Sequence, residues 1–279
     1  MRILIVGSRG MLGTDLMDVF GSASALWGLD FDEIDITNPA QCRERIQALR
    51  PEVIINAAAL TAVDYCESHA GEAFRVNGDG AANLAAEAAV VGAVLVHYST
   101  DYIFDGLKDG PYLEDDPPAP RSVYGKSKLR GEELVRAASP DHIIVRTAWL
   151  FGRHGKNFIR SIVNAARSGQ QLRVVNDQRG SPTWTRDLAA CTARLIEAGG
   201  RGAYHVTNSG SCTWYDLAVH ALALVGVRDA RIEPVATQEY PLPASRPANS
   251  VLANSRLAAE GLPPLRPWQE AVQEYCREL

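Results

Sequence analysis

No apolar run in this 279-residue chain reaches the length of a membrane span, because every such stretch is interrupted by charges or glycines. The opening run Met1–Gly7 is too short for the apolar part of a secretory leader, so it reads as a buried strand that begins the fold. Charge of one sign is also missing in bulk. With 28 Lys and Arg against 33 Asp and Glu, the net charge of -5 gives no electrostatic ground for nucleic acid or an anionic membrane as partner. Five cysteines, Cys42, Cys66, Cys191, Cys212 and Cys276, are scattered and odd in number, with no Cys-x-x-Cys. That suits reduced thiols in the cytoplasm. The six histidines show no His-Glu-x-x-His or paired-ligand spacing, so the residues indicate no metal. What remains is ordinary globular composition: 46% hydrophobic residues are enough for a sizeable core, in one large or two modest domains.

The apolar residues fall into short runs separated by helical patterns. Arg2–Val6, Ala25–Leu29, Pro51–Asn56, Ala93–Tyr98 and His142–Leu150 read as strands, with Ala203–Thr207 as a later one. Helical patterns fill Pro39–Leu49, Glu67–Val91 (broken near Asn77-Gly78), Lys126–Ala138, Asn157–Ser168, Thr183–Ala198, Thr213–Val225 and Pro267–Leu279. Strands that are apolar throughout and alternate with helices predict a parallel sheet covered on both faces, an α/β doubly wound fold. The later proline-rich segments predict a lid or a smaller C-terminal substrate-binding domain. Residues 1–150 would form the dinucleotide half, with 183–208 returning to it, and 151–182 with 209–279 the smaller one.

Strand, glycine loop and helix follow one another at Gly7-x-x-Gly10-x-x-Gly13, the context in which such glycines bind a dinucleotide. Glycines admit the backbone to the pyrophosphate, and the helix N-terminus offers free N–H groups. About twenty residues on, Asp30 has the spacing of an acid that takes the adenine ribose hydroxyls, with Asp35 the next candidate. Arg9 could instead face a ribose phosphate. NADH and NADPH both stay open.

The strand ends Asn56–Asp64 and Ser99–Gly106 carry small, hydroxylic and acidic residues where a doubly wound sheet binds its ligands. Tyr124 and Lys128 follow, four apart at the start of a helix-forming run, so they share a face if the helix includes both. An ammonium beside a phenol would lower the phenol's pKa and make a proton donor for a carbonyl. With nine Tyr and four Lys, one Tyr-x-x-x-Lys arises by chance roughly one time in eight, so the motif needs its surroundings. Any second site facing the dinucleotide would have to be supplied from beyond Leu150. Candidates are Asn157, Arg179 and Arg246, the last followed by Asn249 and Ser250.

These runs, together with Arg146–Gly152, Asp177–Thr183 and Arg246–Leu252, resemble the dTDP-4-dehydrorhamnose reductase family of the extended short-chain dehydrogenase/reductases, in order along the whole chain. The resemblance implies a Rossmann-type fold and a catalytic Thr100, Tyr124 and Lys128. Met11 and Leu12 would lie over the pyrophosphate, Asp35 and Ile36 beside adenine, and Ala59, Leu60, Thr61 and Tyr98 along the remaining cofactor wall. Thr100, Asp101 and Trp149 would surround the sugar. The implied activity is NAD(P)H-dependent reduction of the 4-keto group of dTDP-4-dehydro-L-rhamnose. Alternatives are another nucleotide-sugar reductase or epimerase, and a non-catalytic subunit that keeps the dinucleotide site. Some members form homodimers that hold magnesium through glutamates. Here Asp15, Arg186 and Asp187 occupy that region, so the residues do not support Mg2+.

Overall fold

A computed structural model describes residues 1–279. Six parallel strands form its central sheet: β1 (Arg2–Val6), β2 (Ala25–Leu29), β3 (Val53–Asn56), β4 (Val94–Thr100), β5 (His142–Thr147) and β6 (Gly202–His205). They lie in the order β2-β1-β3-β4-β5-β6. The main helices are α1 (Met11–Val19), α2 (Pro39–Leu49), α3 (Gly80–Val91), α4 (Val123–Ala138), α5 (Phe158–Arg167), α6 (Thr185–Glu197), α7 (Trp214–Leu224) and α8 (Trp268–Cys276).

Alternation along β1 shows how both faces are filled. Ile3 and Ile5 point to one core with residues of α1 and α6, while Leu4 and Val6 point to the other with α2, α3 and α4. Strand order reverses at β1, whose neighbours β2 and β3 leave in opposite directions, so the glycine loop after Val6 opens at the switch point. A second core is built on α5, α7 and α8 around Trp184 and Tyr275, both fully buried. No helix is long and apolar enough to cross a membrane.

Two expectations need correction. Leu257 and Leu265, assigned by sequence to the smaller domain, pack into the core of the large sheet, because Asn208–Ser209 pairs with Leu265–Pro267 and draws that segment back. The helical stretch before β4 departs from α-helix at Asn77-Gly78 as expected, but it is also broken earlier. Val63–Ser68 and Ala70–Phe74 are separated at His69, and a π-helical turn, Arg75–Asp79, leads directly into α3. That turn has a use: Asn77 accepts from Leu60 N (2.9 Å) and donates to Leu60 O (3.0 Å) and Ser127 Oγ (2.9 Å), joining the strand-end wall to α4.

Helix α4 starts early enough to carry the whole Tyr-x-x-x-Lys motif. Ser122 caps it by accepting from Gly125 N at 3.1 Å, after a proline-rich approach that cannot continue as helix. Tyr124, Lys128 and Glu132 then recur every four residues on the face turned to the sheet, and all are buried. Glu132 receives Arg146 of β5 through Nε and Nη2, at 2.9 and 2.8 Å, and Arg136 at 2.8 Å. Burial alone would raise its carboxyl, but Arg146 outweighs that and holds it below the usual value. Arg146→Met should therefore cost about 3–5 kcal/mol of stability, because a buried carboxylate loses its forked partner. The double variant Glu132→Leu/Arg146→Met should recover most of that. Urea unfolding midpoints of the three proteins check the order; equal stabilities for wild type and Arg146→Met would refute it.

Candidate active site

The glycine loop has the shape of a phosphate cradle. Gly7 sits at φ +80, where a Cβ would come within 2.7 Å of Ala58 N, and a Cβ on Gly13 would lie 2.0 Å from Gly7 O. No side chain caps α1 and no acid lies in its first turn, so its N–H groups remain available to an anion. Two adjoining cavities run from this loop, sharing Gly10 and Ala57–Ala59. One, of about 670 Å3, is lined by Gly7, Asp30, Asp35, Ile36 and Leu60. The other, of about 480 Å3, is lined by Met11, Leu12, Thr61, Tyr98, Thr100, Asp101, Tyr124 and Lys128. Gly13 faces neither and serves packing. The residues present fit a dinucleotide laid along this trench.

At its outer end the expected choice between acid and arginine becomes a cluster. Asp30 accepts from Arg9 N and Phe31 N, both at 2.9 Å, and Arg9's guanidinium bonds Asp32 and lies 3.7 Å from Asp30. Asp35 accepts from Thr37 N (2.9 Å) and its hydroxyl (2.8 Å), which fixes the turn. Arg9 is thus held at the rim by acids rather than pointing away.

At the inner end the triad comes together from two elements: Thr100 ends β4, and Tyr124 and Lys128 begin α4. Thr100 Oγ1 donates to Asp101 Oδ1 at 3.0 Å and accepts from Tyr102 N. The electrostatics depart from the expectation that Lys128 lowers the phenol's pKa. Burial pushes Tyr124 above its ordinary value, the adjacent Thr100 hydroxyl opposes this, and Asp101 adds to it. Burial also brings Lys128 down to about 8, with Glu132 opposing. Proximity along a helix does not reveal how dry the pocket is, and dryness dominates here. A phenol that keeps its proton at neutral pH suits protonation of an alkoxide, the reductive direction. Asp101, buried with Oδ2 unpartnered, is raised by burial to about 6.

A third cavity, of about 770 Å3, meets the inner trench at Tyr102, Phe158 and Trp214. Arg173, Arg246, Tyr240 and Leu242 are among its lining residues. Trp149 forms part of the inner trench. Its φ of +47 is rare for a bulky residue, and its ring stacks on Trp214 with centroids 3.5 Å apart. Gly180 leaves room for it, since a Cβ there would stand 2.3 Å from the indole. Trp214 and Tyr102 were missed as site residues. Tyr102, edge-on to Tyr124 at 5.6 Å, lay inside a run already singled out, whereas Trp214 gave no signal beyond its capped helix start.

Other candidates stand elsewhere. Asn157 lines no substrate cavity: it caps α5 through Arg160 N and donates to Gly152 O and Tyr275 Oη, each at 2.9 Å, so its amide is spent on structure. Arg179 and Asn249 form a bridge between loops, with Asn249 donating to Lys108 O and Gly110 O. Ser250 is buried beside Asp101. Arg246 borders the third cavity but pairs with Asp64. In the region of Asp15, Thr185 donates to that carboxylate, Asp187 takes Arg266 at 2.8 and 2.9 Å, and Arg186 lies 3.7 Å from Glu274. No group of three or more His, Cys, Asp or Glu is arranged to hold a metal.

A buried ammonium predicts a trade-off between stability and activity. The folded pKa of Lys128, about 8, lies below its ordinary 10.5, so the unfolded chain binds the extra proton between those values. The penalty is therefore full below pH 8 and fades as pH rises towards 10.5. Lys128→Met should stabilise the cofactor-free protein at pH 7 by about 1–3 kcal/mol while abolishing turnover. Denaturant titrations at pH 7 and pH 9.5 check this. A gap between the two proteins that fails to narrow at the higher pH would contradict it.

Comparison with known proteins agrees over the full length. A family model described as the RmlD substrate binding domain matches residues 1–279. A dTDP-4-dehydrorhamnose reductase of Streptomyces griseus is 43% identical over 280 residues, covering 98% of this chain and 92% of that one. A dTDP-4-keto-6-deoxy-D-glucose reductase of Streptomyces niveus is 39% identical over 275 residues, covering 98% and 96%. The crystal structure of dTDP-4-dehydrorhamnose reductase from Bacillus anthracis in complex with NADP superposes with a TM-score of 0.97 at 35% identity, covering 100% of this chain and 99% of that one. With a triad at the strand ends, a dinucleotide trench and full-length similarity of this kind, the chain belongs to the dTDP-4-dehydrorhamnose reductase family of extended short-chain dehydrogenase/reductases.

Proposed function

We propose that the protein reduces the 4-keto group of dTDP-4-dehydro-L-rhamnose with NADPH, giving dTDP-L-rhamnose. The observation that carries this reading is the meeting of the dinucleotide trench with the third cavity at Tyr102, directly beside Tyr124. NADPH, when bound, supplies the hydride. Tyr124 gives its phenolic proton to the carbonyl oxygen as negative charge develops there. Thr100 orients that oxygen through its hydroxyl. Lys128 binds ribose hydroxyls with its ammonium and offsets the charge left on Tyr124. Asp101 borders the sugar in the inner trench and holds the Thr100 hydroxyl in place through Oδ1. Arg173 and Arg246 face the two phosphates, and Phe158, Ile162, Tyr240 and Leu242 supply apolar wall for the base. We place the reaction in the cytoplasm, in keeping with five cysteines that are all free thiols.

A second reading, reduction of another dTDP-4-keto-6-deoxysugar, is favoured by the similarity to the Streptomyces niveus enzyme. Competing the two ketosugars at equal concentration and analysing products by mass spectrometry separates these. An epimerase would give product without net NADPH loss, and a non-catalytic subunit would give neither.

Tyr124→Phe should bind NADPH normally and lower kcat by about two orders of magnitude or more, because the ring stays and the donor goes. Turnover and cofactor affinity measured on the same preparation test it, and near-normal kcat would remove Tyr124 as the acid.

Cofactor choice gives a second expectation. Arg9 is the cation nearest the acids that would otherwise repel a ribose phosphate. Arg9→Ala should therefore shift the NADPH/NADH ratio of kcat/KM towards NADH by about tenfold, the scale of one charge-assisted contact. An unchanged ratio would show that the phosphate is held elsewhere.

A further inference from the structure

The segment that carries Arg246 is fastened to the dinucleotide half of the molecule by Asp64. Asp64 is the second residue of the short helix Val63–Ser68. Its Oδ1 accepts from Ala244 N at 3.0 Å and from Arg246 Nη1 at 2.9 Å, and its Oδ2 accepts from Arg246 Nη2 at 2.7 Å. Arg246 Nη1 also donates to Ala244 O at 2.8 Å, closing a small ring of hydrogen bonds within the loop. The pair is no ordinary surface contact, since the Arg246 side chain is only 16% exposed and the fork is two-pronged.

Position gives this contact its meaning. Thr61 and Val63, on the same turn as Asp64, line the inner trench, whereas Ala244, Ser245 and Arg246 line the third cavity. Tyr102 borders both, and the charges of Arg246 and Asp64 act on its phenol. One carboxylate therefore holds an edge of the substrate cavity against the cofactor wall. Both of its oxygens are used on the loop, which leaves Arg246's orientation little freedom.

On the reading that a nucleotide sugar occupies the third cavity, we propose that Asp64 is a positioning residue for it. Asp64 docks residues 244–246 and holds the Arg246 guanidinium at the cavity edge, leaving its Nε and the second N–H of Nη2 for the diphosphate, without itself touching substrate. Its effect falls on capture of the nucleotide sugar and not on the chemical step. That separates it from a residue that merely supports the fold.

The test uses the full chain, with dTDP as calorimetric probe and the ketosugar as kinetic substrate. Asp64→Asn keeps the size and one acceptor for Ala244 N but loses the charge that orients Arg246. It should raise both Kd for dTDP and KM for the ketosugar about tenfold, with kcat within threefold and NADPH affinity unchanged. The exchange Asp64→Arg/Arg246→Asp should restore protection of the loop from proteolysis yet leave dTDP binding weak, because the cation is then on the wrong side. Unchanged Kd and KM in Asp64→Asn would overturn the proposal and leave the proposed reaction standing. A parallel loss of kcat, NADPH affinity and thermal stability would also overturn it, by showing a general folding role. Wild-type protein that does not bind dTDP would remove the nucleotide-sugar reading and this proposal with it.

Discussion

The buried pairing of Glu132 with Arg146 fixes where the chemistry can happen. Helix α4 could slide or roll on the sheet if only apolar side chains held it, since burial is non-directional. A two-pronged ion pair in a dry interior is directional, and leaving either partner alone is costly. Because Tyr124, Lys128 and Glu132 share one face at intervals of four, fixing Glu132 fixes the other two. Asn77 adds a second fixed point through Ser127, the residue before Lys128. The register of the helix against Thr100 is thus determined twice.

The same burial sets the proton chemistry. A phenol raised by desolvation and an ammonium lowered to about 8 are both moved towards their neutral forms. The phenol therefore keeps its proton at neutral pH until the substrate oxygen takes it up. Asp101, at about 6, has a smaller version of the same displacement. All three shifts share one cause, removal of water.

Much of this was readable along the chain. Apolar strands betrayed the doubly wound sheet because both of its faces are covered, and spacing found the glycine loop and the Tyr124–Lys128 pair. What spacing could not show was burial, hence the misjudged direction of the Tyr124 shift. Contacts between distant segments were equally hidden: Asp64 and Arg246 stand 182 residues apart, and no local pattern links them. Asn157 was a different kind of miss, because an asparagine just before a helical run already signals a cap. The proline-rich tail concealed Leu257 and Leu265, whose places in the large core depend on the short pairing with Asn208–Ser209.

Strand β6 has a consequence for how the protein is made. It is the last strand of the open sheet, with its outer edge covered by Arg256 on Ala203 O and Glu114 on His205 N, yet it is encoded after α5 and α6. During synthesis β5 therefore waits with an open edge until residue 205 has left the ribosome, and an open edge is where strands of different chains meet. The two cores are interleaved in time as well as in space. A gene cut after the first five strands would deliver a sheet with an unprotected margin, so the evolutionary exchange of substrate domains in such a chain has to carry β6 along.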